Sequence, residues 1–562
     1  MKRVLLAGAV LVAAGVLWIA FTLPPVRMAL PHAEDDGTVA GVLHIHTNRS
    51  DGSGSPQDAA AAASRAGLKF IVLTDHGDAT RTPDPPSYYG DVLTLDGVEI
   101  STAGGHYLAI GLPAAPYPLG GEPRDVVEDV ARLGGFGVAA HPDSPKQELQ
   151  WQGWSTPFDG IEVVNADTSW RVHATGGLRA KLRLLEALSG YPFRPAEAIA
   201  RLLSDSSRVL ARWETLTRVR RVVAVAGTDA HAQIGPVPIP SYESAFRMLS
   251  VRVKPEGQLS GNAARDAAAI LRGLRAGHVY TAADGFAGPP LFEFSAVNSA
   301  GSAGQGDELL ASGPVTLRVQ SNAPPTFTTT VWRGDQILET DRHDGSLTVT
   351  APEAPAVYRV EIHASDRRDR PLWIASNPIY VRGSMNASAA PGLAHPLAVE
   401  TEPLFTGRNA SAWRLERAAS STGEMHVVSS EEGKGELHVR YRLASDHSQD
   451  GRLALLVSFP RSLASYDRTA FSVRADRPMR ISVQLRTEKA GVAEERWQRS
   501  VYADTTRRTR TLFFDDFVPM GESRHARPPL ADMPYVMFVV DAASAGLGVS
   551  GEFWISDVSV QR

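Results

Sequence analysis

The sequence predicts a multidomain protein in which an α/β barrel precedes two all-β domains. In residues 38–288, short apolar strand segments alternate with helical segments, a pattern typical of parallel sheets and barrels. From residue 289 onward, short strand segments follow one another between turns rich in Gly, Pro and Asp, which favours β-sandwiches. At roughly 100–200 residues per domain, the 562 residues provide for about three or four domains.

Composition excludes several kinds of site. A net charge of −5 provides no basic surface, so no nucleic-acid partner is expected. The chain contains no cysteine, which excludes disulfides, thiolate metal ligands and a lipid-modified cysteine. Any metal ion must therefore be held by nitrogen and oxygen donors.

Residues 1–25 form a candidate signal anchor or signal peptide. Lys2 and Arg3 precede Val4–Leu23, a run without charged residues that ends at Pro24-Pro25. About 20 apolar residues are enough to cross a bilayer, and the flanking positive charges predict an N-terminus in the cytoplasm. A cleaved signal peptide is the alternative, although its apolar core is usually shorter. The body is therefore expected outside the cytoplasm, membrane-anchored, or secreted if the segment is cleaved.

In residues 38–288, the barrel half, predicted helices alternate with predicted strands. Ser55 and Pro56 look like the N-cap and first residue of an Ala-rich helix. Further helices are predicted at Glu122–Leu133, Thr175–Arg220 and Asn262–Ala276. Predicted strands after the first are Lys69–His76, Leu93–Ser101, His106–Leu112, Phe136–Pro142, Gly160–Asn165 and Val222–His231. Polar residues lie at or just beyond the carboxyl ends of these strands, where barrel enzymes place their chemistry.

The remaining chain is predicted as β-structure. Residues 289–383 read as an Ig-like β-sandwich, and residues 384–396 as a Ser/Ala/Pro/Gly-rich linker. In residues 397–562, strands are predicted at Leu437–Leu443, Arg452–Phe459, Ala470–Arg486, Arg510–Phe514, Tyr535–Asp541 and Phe553–Val560.

The segment Gly41–Gly52, GVLHIHTNRSDG, predicts the start of a metal site. In a strand, alternate side chains share a face, so His44 and His46 are expected to project together and Ile45 to pack on the other side. Asp51 follows in a short turn and can fold back beside the two imidazoles. Two nitrogens and a carboxylate suit a divalent ion. Two structural histidines on a strand are the alternative.

Other ligand-type side chains lie at the ends of the predicted strands. Asp229-Ala230-His231 repeats the spacing of the first pair. Each remaining residue could singly be a strand cap or a satisfied buried polar group; they are His76, Glu99, His106 and His141. Burying all of them together would be costly without a compensating positive charge, which a divalent cation supplies.

With these motifs in this order, residues 41–283 resemble the polymerase and histidinol phosphatase (PHP) superfamily. The matching motifs are HxH with a following Asp, TDH at Thr74–His76, the acidic Glu99 followed by His106, HP at His141, and DxH at Asp229. FDGIEVVN at Phe158–Asn165, NPIYV at Asn377–Val381 and the β-domain are more similar to a carbaryl-hydrolase-like branch than to histidinol phosphatases. The helical insertion Thr175–Arg220 departs from the family pattern and leaves the substrate open.

The resemblance implies a distorted (β/α)7 TIM-like barrel that binds two or three divalent ions, Mn, Zn or Fe. It implies a bridging role for Glu99, and Glu99, Asp229 and His231 are the predicted catalytic residues. The implied metal ligands are His44, His46, Asp51, His76, Glu99, His106, His141, Asp229 and His231.

The implied activity is metal-dependent hydrolysis of a small-molecule phosphoester, with the ions activating a water molecule. A carboxylester or carbamate hydrolase with the same site is the nearest alternative. A non-enzymatic surface glycan-binding protein with a relic barrel is the third, against which the intact ligand set argues. Arg49, Lys146 and Arg171 are candidates to bind an anionic group, or else are solvated surface charges.

Residues 397–562 are similar to galactose-binding-like jelly rolls. The resemblance rests on FFDDF at Phe513 and FWISDVSV at Phe553. It implies polysaccharide as a possible partner of this domain. The aromatic residues either stack on sugar rings or pack in the core; they are Trp413, Trp497, Tyr502 and Tyr535.

Overall fold

The computed structural model describes the chain except for short stretches. The described residues are 2–31, 36–203, 205–342, 345–365, 370–383, 397–408, 410–430, 433–445, 451–459, 462–488 and 494–562. The linker predicted at residues 384–396 lies outside them. The chain divides into two compact units, one of Met1–Ala114 with Glu122–Gly392 and one of Ala115–Gly121 with Leu393–Arg562.

The first helix, α1 (Lys2–Thr22), is mainly apolar, and its residues from Arg3 to Trp18 are exposed. Its segment Arg3–Thr22 has 20 residues and a mean hydropathy of 2.6, and none of it is buried. By length and composition it can cross a membrane, a test that a signal sequence also passes. Within the described part of the chain, no other helix meets this criterion.

The barrel region, residues 38–288, contains most of the α-helices that the structure describes. Its further helices are α2 (Pro56–Arg65), α3 (Pro123–Arg132), α4 (Ala166–Thr175), α5 (Leu178–Gly190), α6 (Pro195–Ala200), α7 (Ser207–Thr217), α8 (Tyr242–Met248) and α9 (Ala263–Ala276). The strands up to residue 288 are β1 (Met28–Ala29), β2 (Val39–Ile45), β3 (Phe70–Leu73), β4 (Ser87–Tyr89), β5 (Val92–Thr102), β6 (Gly105–Ile110), β7 (Phe136–Ala139), β8 (Gly160–Asn165), β9 (Val223–Ala230), β10 (Ser250–Val253), β11 (Val279–Ala282) and β12 (Ala287–Gly288).

Seven strands close into a barrel in the order β2-β3-β5-β6-β7-β8-β9, and β9 pairs back onto β2. Neighbouring strands are parallel except that β6 is antiparallel to both β5 and β7. Among the described residues, α-helices occupy three of the connections: α2 follows β2, α3 follows β6, and α4–α7 follow β8. A tight turn at residues 103–104, followed by Gly105 with a φ of 96°, joins β5 directly to β6 and leaves no room for a helix.

Local sequence explains the helices that pack on the barrel. Ser55 caps α2 as predicted, because its hydroxyl accepts from the Asp58 amide while the Asp58 carboxylate accepts from the Ser55 amide. The alanines of α2 pack in one core cluster with Val42, Ile45 and Ile71. Since alanine carries no long side chain, α2 lies close against the strands.

Residues 289–383 extend the barrel's sheet and add a second sheet. Strand β21 pairs antiparallel with β11, where Ala375 faces Thr281. The Asn377 side chain bonds both backbone groups of Ala224 and the carbonyl of Val279, which ties this segment to β9 and β11. The strands are β13 (Phe292–Asn298), β14 (Gly301–Gly304), β15 (Glu308–Leu310), β16 (Val315–Ser321), β17 (Thr328–Arg333), β18 (Gln336–Arg342), β19 (Ser346–Ala351), β20 (Ala356–His363), β21 (Leu372–Ser376) and β22 (Ile379–Arg382). The second sheet has the order β14-β13-β16-β19.

The second unit contains two six-stranded sheets in its described residues. Its elements are β23 (Thr401–Phe405), β24 (Trp413–Arg417), β25 (Thr422–Ser429), β26 (Gly435–Arg442), β27 (Arg452–Ser458), β28 (Arg468–Ala475), β29 (Met479–Arg486), β30 (Arg496–Ala503), β31 (Arg508–Phe513), β32 (Val518–Pro519), β33 (Tyr535–Asp541), α10 (Ala542–Ala545) and β34 (Ser550–Gln561). The single strand predicted at Ala470–Arg486 is wrong, because β28 lies in one sheet and β29 in the other.

The predicted aromatic residues of this unit are mainly core residues. Trp413 and Trp497 lie in the apolar cluster that also contains Phe538, and Tyr535 is buried in a smaller cluster. Tyr502 is half-buried. The buried rings cannot stack on a sugar, so they give no support to a glycan site at those three positions.

Candidate metal centre

The nine predicted ligand residues lie in one connected cluster at the carboxyl ends of the parallel barrel strands. β2 contributes His44, with His46 just beyond it, and β9 contributes Asp229, with His231 just beyond it. His76 and His141 follow β3 and β7, and Glu99 lies in β5. Because β6 runs in the opposite direction, it contributes His106 from its amino end.

Glu99 lies at the centre of the cluster and is 1% exposed. Its Oε1 is 2.8 Å from His106 Nδ1 and 2.8 Å from His141 Nε2. Its Oε2 is 3.2 Å from His44 Nε2, 3.1 Å from His46 Nε2 and 3.3 Å from His76 Nδ1. One buried carboxylate therefore faces five imidazoles.

A second carboxylate, Asp229, closes the cluster on the β9 side. Its Oδ1 lies 3.4 Å from His44 Nε2 and 3.2 Å from His46 Nε2. Asp51 forms the outer edge, where its Oδ2 is 3.2 Å from His231 Nε2. Asp51 is about half exposed, so solvent reaches the cluster at this edge.

The donor set fits divalent metal ions. Nε2 of His44 and both ring nitrogens of His46 are buried, and among the described residues no nearby oxygen, including those of Glu99 and Asp229, has the geometry of a hydrogen bond to them. Such nitrogens are costly unless an ion binds them. Among the residues that the structure describes, four overlapping groups have ligand atoms within 4.8 Å of one another: His46/Asp51/His76/His231, His44/Glu99/His141, His44/His46/Asp229 and His76/Glu99/His106.

Second partners orient the imidazoles toward the centre. His44 Nδ1 lies 2.7 Å from Glu162 Oε1, and both side chains are buried. His141 Nδ1 is 3.0 Å from the Leu149 carbonyl, and His231 Nδ1 is 3.0 Å from the Asp229 carbonyl. Each acceptor assigns the proton to Nδ1 and leaves the Nε2 lone pair for a metal ion.

Glu162 is a functional candidate that the sequence reasoning missed. It also accepts from the His141 amide and the Asn165 side chain, so it joins two of the candidate ligand segments. The sequence pattern that could have indicated Glu162 is a single carboxylate within GIEVVN, a strand whose residues are all buried. A buried carboxylate in such a strand requires a partner.

The backbone explains why His44 and His46 meet, and it corrects the prediction of simple strand alternation. His44 has a φ of 63°, and the pairing of β2 with β9 is irregular between Leu43 and Ile45. Ile45 packs in the core as predicted. Asp229 and His141 also have positive φ values, 48° and 29°. Residues other than glycine are strained when their φ is positive, and such backbone strain concentrates at functional sites.

Asp75 supports the turn that carries Asp51. Its carboxylate accepts from the Thr47 amide and hydroxyl and from the Ser50 hydroxyl, each at 2.7 Å. Its two oxygens are thus engaged by the 47–50 turn. Asp75 therefore acts on the centre through the backbone.

The buried charges shift one another's pKa values. Burial lowers the pKa of His46, but the neighbouring carboxylates of Asp229 and Glu99 outweigh it and raise the pKa to about 10. Burial raises the pKa of Glu99, but the facing imidazoles, His44 first, hold it well below its ordinary value. The same opposition holds the pKa of Asp229 well below its ordinary value. Without metal ions, the cluster therefore retains charged imidazoles beside charged carboxylates.

A cavity of about 330 Å³ adjoins the outer edge of the cluster. Asp51, Asp229 and His231 line it, as does Arg171, one of the three predicted anion-binding residues. Arg171 pairs with Asp167 on α4. Arg49 instead pairs with Asp84 and Asp96, and Lys146 is exposed. Neither is among the described residues that line this cavity.

Comparison with known proteins finds distant similarities. No family model matches the chain. MJ1587, an uncharacterized protein of Methanocaldococcus jannaschii, is 29% identical in an alignment of 139 residues that covers 22% of this chain and 80% of that protein.

Two solved structures illustrate the structural similarities. A two-domain protein from Bacteroides vulgatus, described as containing a predicted PHP-like metal-dependent phosphoesterase, is 16% identical; the match covers 63% of this chain and 98% of that chain with a TM-score of 0.31. The family 11 carbohydrate-binding module of a Clostridium thermocellum cellulase is 17% identical and covers 29% of this chain and 95% of that chain with a TM-score of 0.25. TM-scores of this size do not establish a shared fold.

Proposed function

We propose that the chain is a metal-dependent phosphoesterase whose centre is organised around Glu99. The observation that carries the proposal is that this one buried carboxylate faces five imidazoles. Structural histidines have no need to converge on one carboxylate with lone pairs left unpartnered. Cations held between them would compensate the buried carboxylates and occupy those lone pairs.

The candidate ligands divide into an inner and an outer part. His44, Glu99 and His141 are buried, whereas Asp51, His76 and His231 lie toward solvent. Divalent ions bound there supply positive charge that lowers the pKa of a water molecule and polarises an ester oxygen. We place the reacting ester at the outer part, because the cavity reaches the cluster there.

The residues of the chain supply orientation and charge. Glu162 and the Leu149 carbonyl hold His44 and His141 in the tautomer that binds metal. Arg171 at the cavity wall provides a guanidinium for the phosphate oxygens. Hydrolysis adds water across the P–O bond and yields a phosphate and an alcohol.

The central test combines metal analysis with a substrate panel on the purified full-length protein. The panel contains phosphomonoesters, phosphodiesters, aryl carboxylesters and carbamates. The variants are Glu99→Ala and His231→Ala, and His278→Ala is the matched control, because His278 pairs with Asp307 outside the cluster.

We expect bound divalent ions and phosphoester hydrolysis in the unmodified protein. Both site variants should lose metal and at least about a hundredfold in kcat/KM, because loss of a residue that merely orients a metal ligand already costs about 10- to 100-fold. Turnover of only carboxylesters or carbamates would instead favour the alternative hydrolase. Unchanged metal content and unchanged hydrolysis in both variants would remove the proposal.

Polysaccharide binding by residues 397–562 is a separate proposal. Because Trp413, Trp497 and Tyr535 are buried, Tyr502 is the remaining predicted aromatic residue at which it can be tested. Sedimentation of the full-length protein and of Tyr502→Ala with insoluble polysaccharides tests it.

A further inference from the structure

The cavity beside the centre is lined by apolar residues as well as by candidate metal ligands. Helices α5 and α6 of the 175–220 insertion, with the residues after α6, supply much of this wall. These lining residues are Leu184, Ala187, Leu188, Ile199 and Leu202. A volume of about 330 Å³ lies within the range of small-molecule sites. A small, highly polar ester would leave these walls uncovered.

The other face of α5 exposes leucines. Leu178, Leu182 and Leu185 have the spacing i, i+4, i+7 and share one face of the helix. Leu178 is 75% exposed and Leu185 is 51% exposed. Phe193, three residues after α5, is 59% exposed. Aligned, exposed apolar side chains on one helix mark a surface that contacts a partner or a membrane.

Helix α5 lies against the end of α1. Trp18 Nε1 donates to Ser189 Oγ at 3.1 Å. At the two ends of the neighbouring α6, Arg194 donates to the Pro24 carbonyl and Arg201 donates to the Thr22 carbonyl. A helix of 21 residues spans about 31 Å, close to the thickness of a bilayer's hydrocarbon core. If α1 crosses the bilayer, these contacts place α5 at the bilayer surface.

The charges of α5 suit that position. Arg179 and Lys181 are exposed beside the leucines, while Glu186 is paired with Arg201. A helix with leucines on one face and basic residues beside them binds the interface of a bilayer that contains anionic lipids. This combination favours a membrane over a protein partner.

We propose that α5 lies on the bilayer surface and that the cavity takes the hydrocarbon part of an amphiphilic phosphoester drawn from the membrane. Leu188 connects the two surfaces, because it lines the cavity and is 46% exposed. The phosphoester group then reaches Asp51, Asp229 and His231 while its chain packs against Leu184 and its neighbours. The substrate part of this inference rests on the proposed phosphoesterase function.

The first test measures the depth of α5. Since the chain lacks cysteine, Leu185→Cys and the control Val219→Cys each provide one labelling site. Val219 is 61% exposed and follows α7. The full-length protein is inserted into vesicles of neutral and anionic phospholipids that carry spin-labelled acyl chains. A fluorophore is attached to the cysteine of each variant. We expect the spin-labelled acyl chains to quench the fluorophore at position 185 strongly and the fluorophore at position 219 little. Equal quenching at the two positions would overturn the placement of α5.

The second test compares Leu184→Trp with Leu185→Trp, which makes the same change on the cavity face and on the outer face of one helix. The probes are dodecyl phosphate and ethyl phosphate. For Leu184→Trp we expect binding and turnover of dodecyl phosphate to fall about tenfold or more, with ethyl phosphate little changed. Leu185→Trp should retain the binding and turnover of both dodecyl phosphate and ethyl phosphate. Circular dichroism and metal content verify that both variants fold.

The outcomes separate the two proposals. If the unmodified protein hydrolyses both esters and Leu184→Trp changes the turnover of dodecyl phosphate and ethyl phosphate by the same factor, the proposed role of the cavity fails. The phosphoesterase function then stands. If no phosphoester is hydrolysed, the phosphoesterase proposal fails, while binding of dodecyl phosphate and the quenching result still decide the cavity and α5.

Discussion

His44 and Glu162 form a buried pair in which His44 Nδ1 lies 2.7 Å from Glu162 Oε1. The carboxylate is on β8 and the imidazole is on β2, and β9 lies between these two strands in the barrel. This pair sets which nitrogen of His44 faces Glu99 and Asp229. The centre therefore depends on a residue that is not itself one of the candidate ligands.

We predict that Glu162→Gln weakens metal binding about 10- to 100-fold and has a small effect on folding. The reason is that the neutral amide polarises His44 less and disturbs the hydrogen bond that the His141 amide donates to Glu162. Metal content and calorimetric titration of the metal-free protein measure this. Glu214→Gln is the control, since Glu214 on α7 is also buried but pairs with Arg218, the residue that follows this helix. Equal affinity in Glu162→Gln and the unmodified protein would show that the pair does not orient the ligand.

Gly227 leaves space for Glu162. A Cβ at Gly227 would lie 1.7 Å from Glu162 Oε1 and 2.4 Å from its Cδ. We predict that Gly227→Ala displaces Glu162, destabilises the protein by about 1–3 kcal/mol and lowers metal content. Thermal unfolding and elemental analysis test both effects. Gly15→Ala in α1, where a Cβ meets no atom within 4 Å, should lower neither; normal metal content in Gly227→Ala would contradict the prediction.

The metal-free protein should lose stability as pH rises from about 6.5 toward 10. The folded-state pKa of His46 is raised to about 10, against about 6.5 in an unfolded chain, so its stabilising charge is complete below pH 6.5 and is lost as pH rises through the folded value. Metal affinity should increase over the same range, because ions bind deprotonated imidazoles.

Melting temperatures of chelator-treated and metal-loaded protein between pH 6 and 10 check this prediction. The metal-free melting temperature should fall with pH, and the difference between the two forms should grow. In His46→Gln this pH dependence should shrink. A metal-free melting temperature that rises across this range would contradict the assignment.

Arg171 and Arg49 are expected to differ in their effect on substrate binding. Arg171 lines the cavity, so Arg171→Gln should raise KM for phosphoesters about tenfold or more, since hydrogen bonds to charged groups contribute about 1.5–3 kcal/mol. Arg49→Gln should leave KM unchanged because Arg49 is not among the described residues that line the cavity and pairs with Asp84 and Asp96. Steady-state kinetics of both variants test this, and a larger change in Arg49→Gln would reverse the two roles.

Much of the centre could be predicted from residue type and position. His44, His46, Asp229 and His231 lie at ends of apolar segments, and parallel strands place such ends at one rim. The helix at Ser55 and the strand at Gly160–Asn165 were likewise readable, because caps and buried strand runs are local signals.

Other features required contacts between distant residues. The antiparallel course of β6, the left-handed conformations of His44 and Asp229, and the division of Ala470–Arg486 between two sheets depend on how the strands pair. Pairing energies between distant segments leave no mark in the periodicity of either segment alone.

The sequence by itself determined the order of the candidate ligands, the lack of thiolate donors and the apolar character of α1. Tertiary structure decided that Glu99 faces five imidazoles, that Glu162 supports His44, and that α5 has a cavity on one side and exposed leucines on the other. The physical reason is that side-chain chemistry is local, whereas the distance between two charges and the exposure of an apolar face are properties of the folded chain.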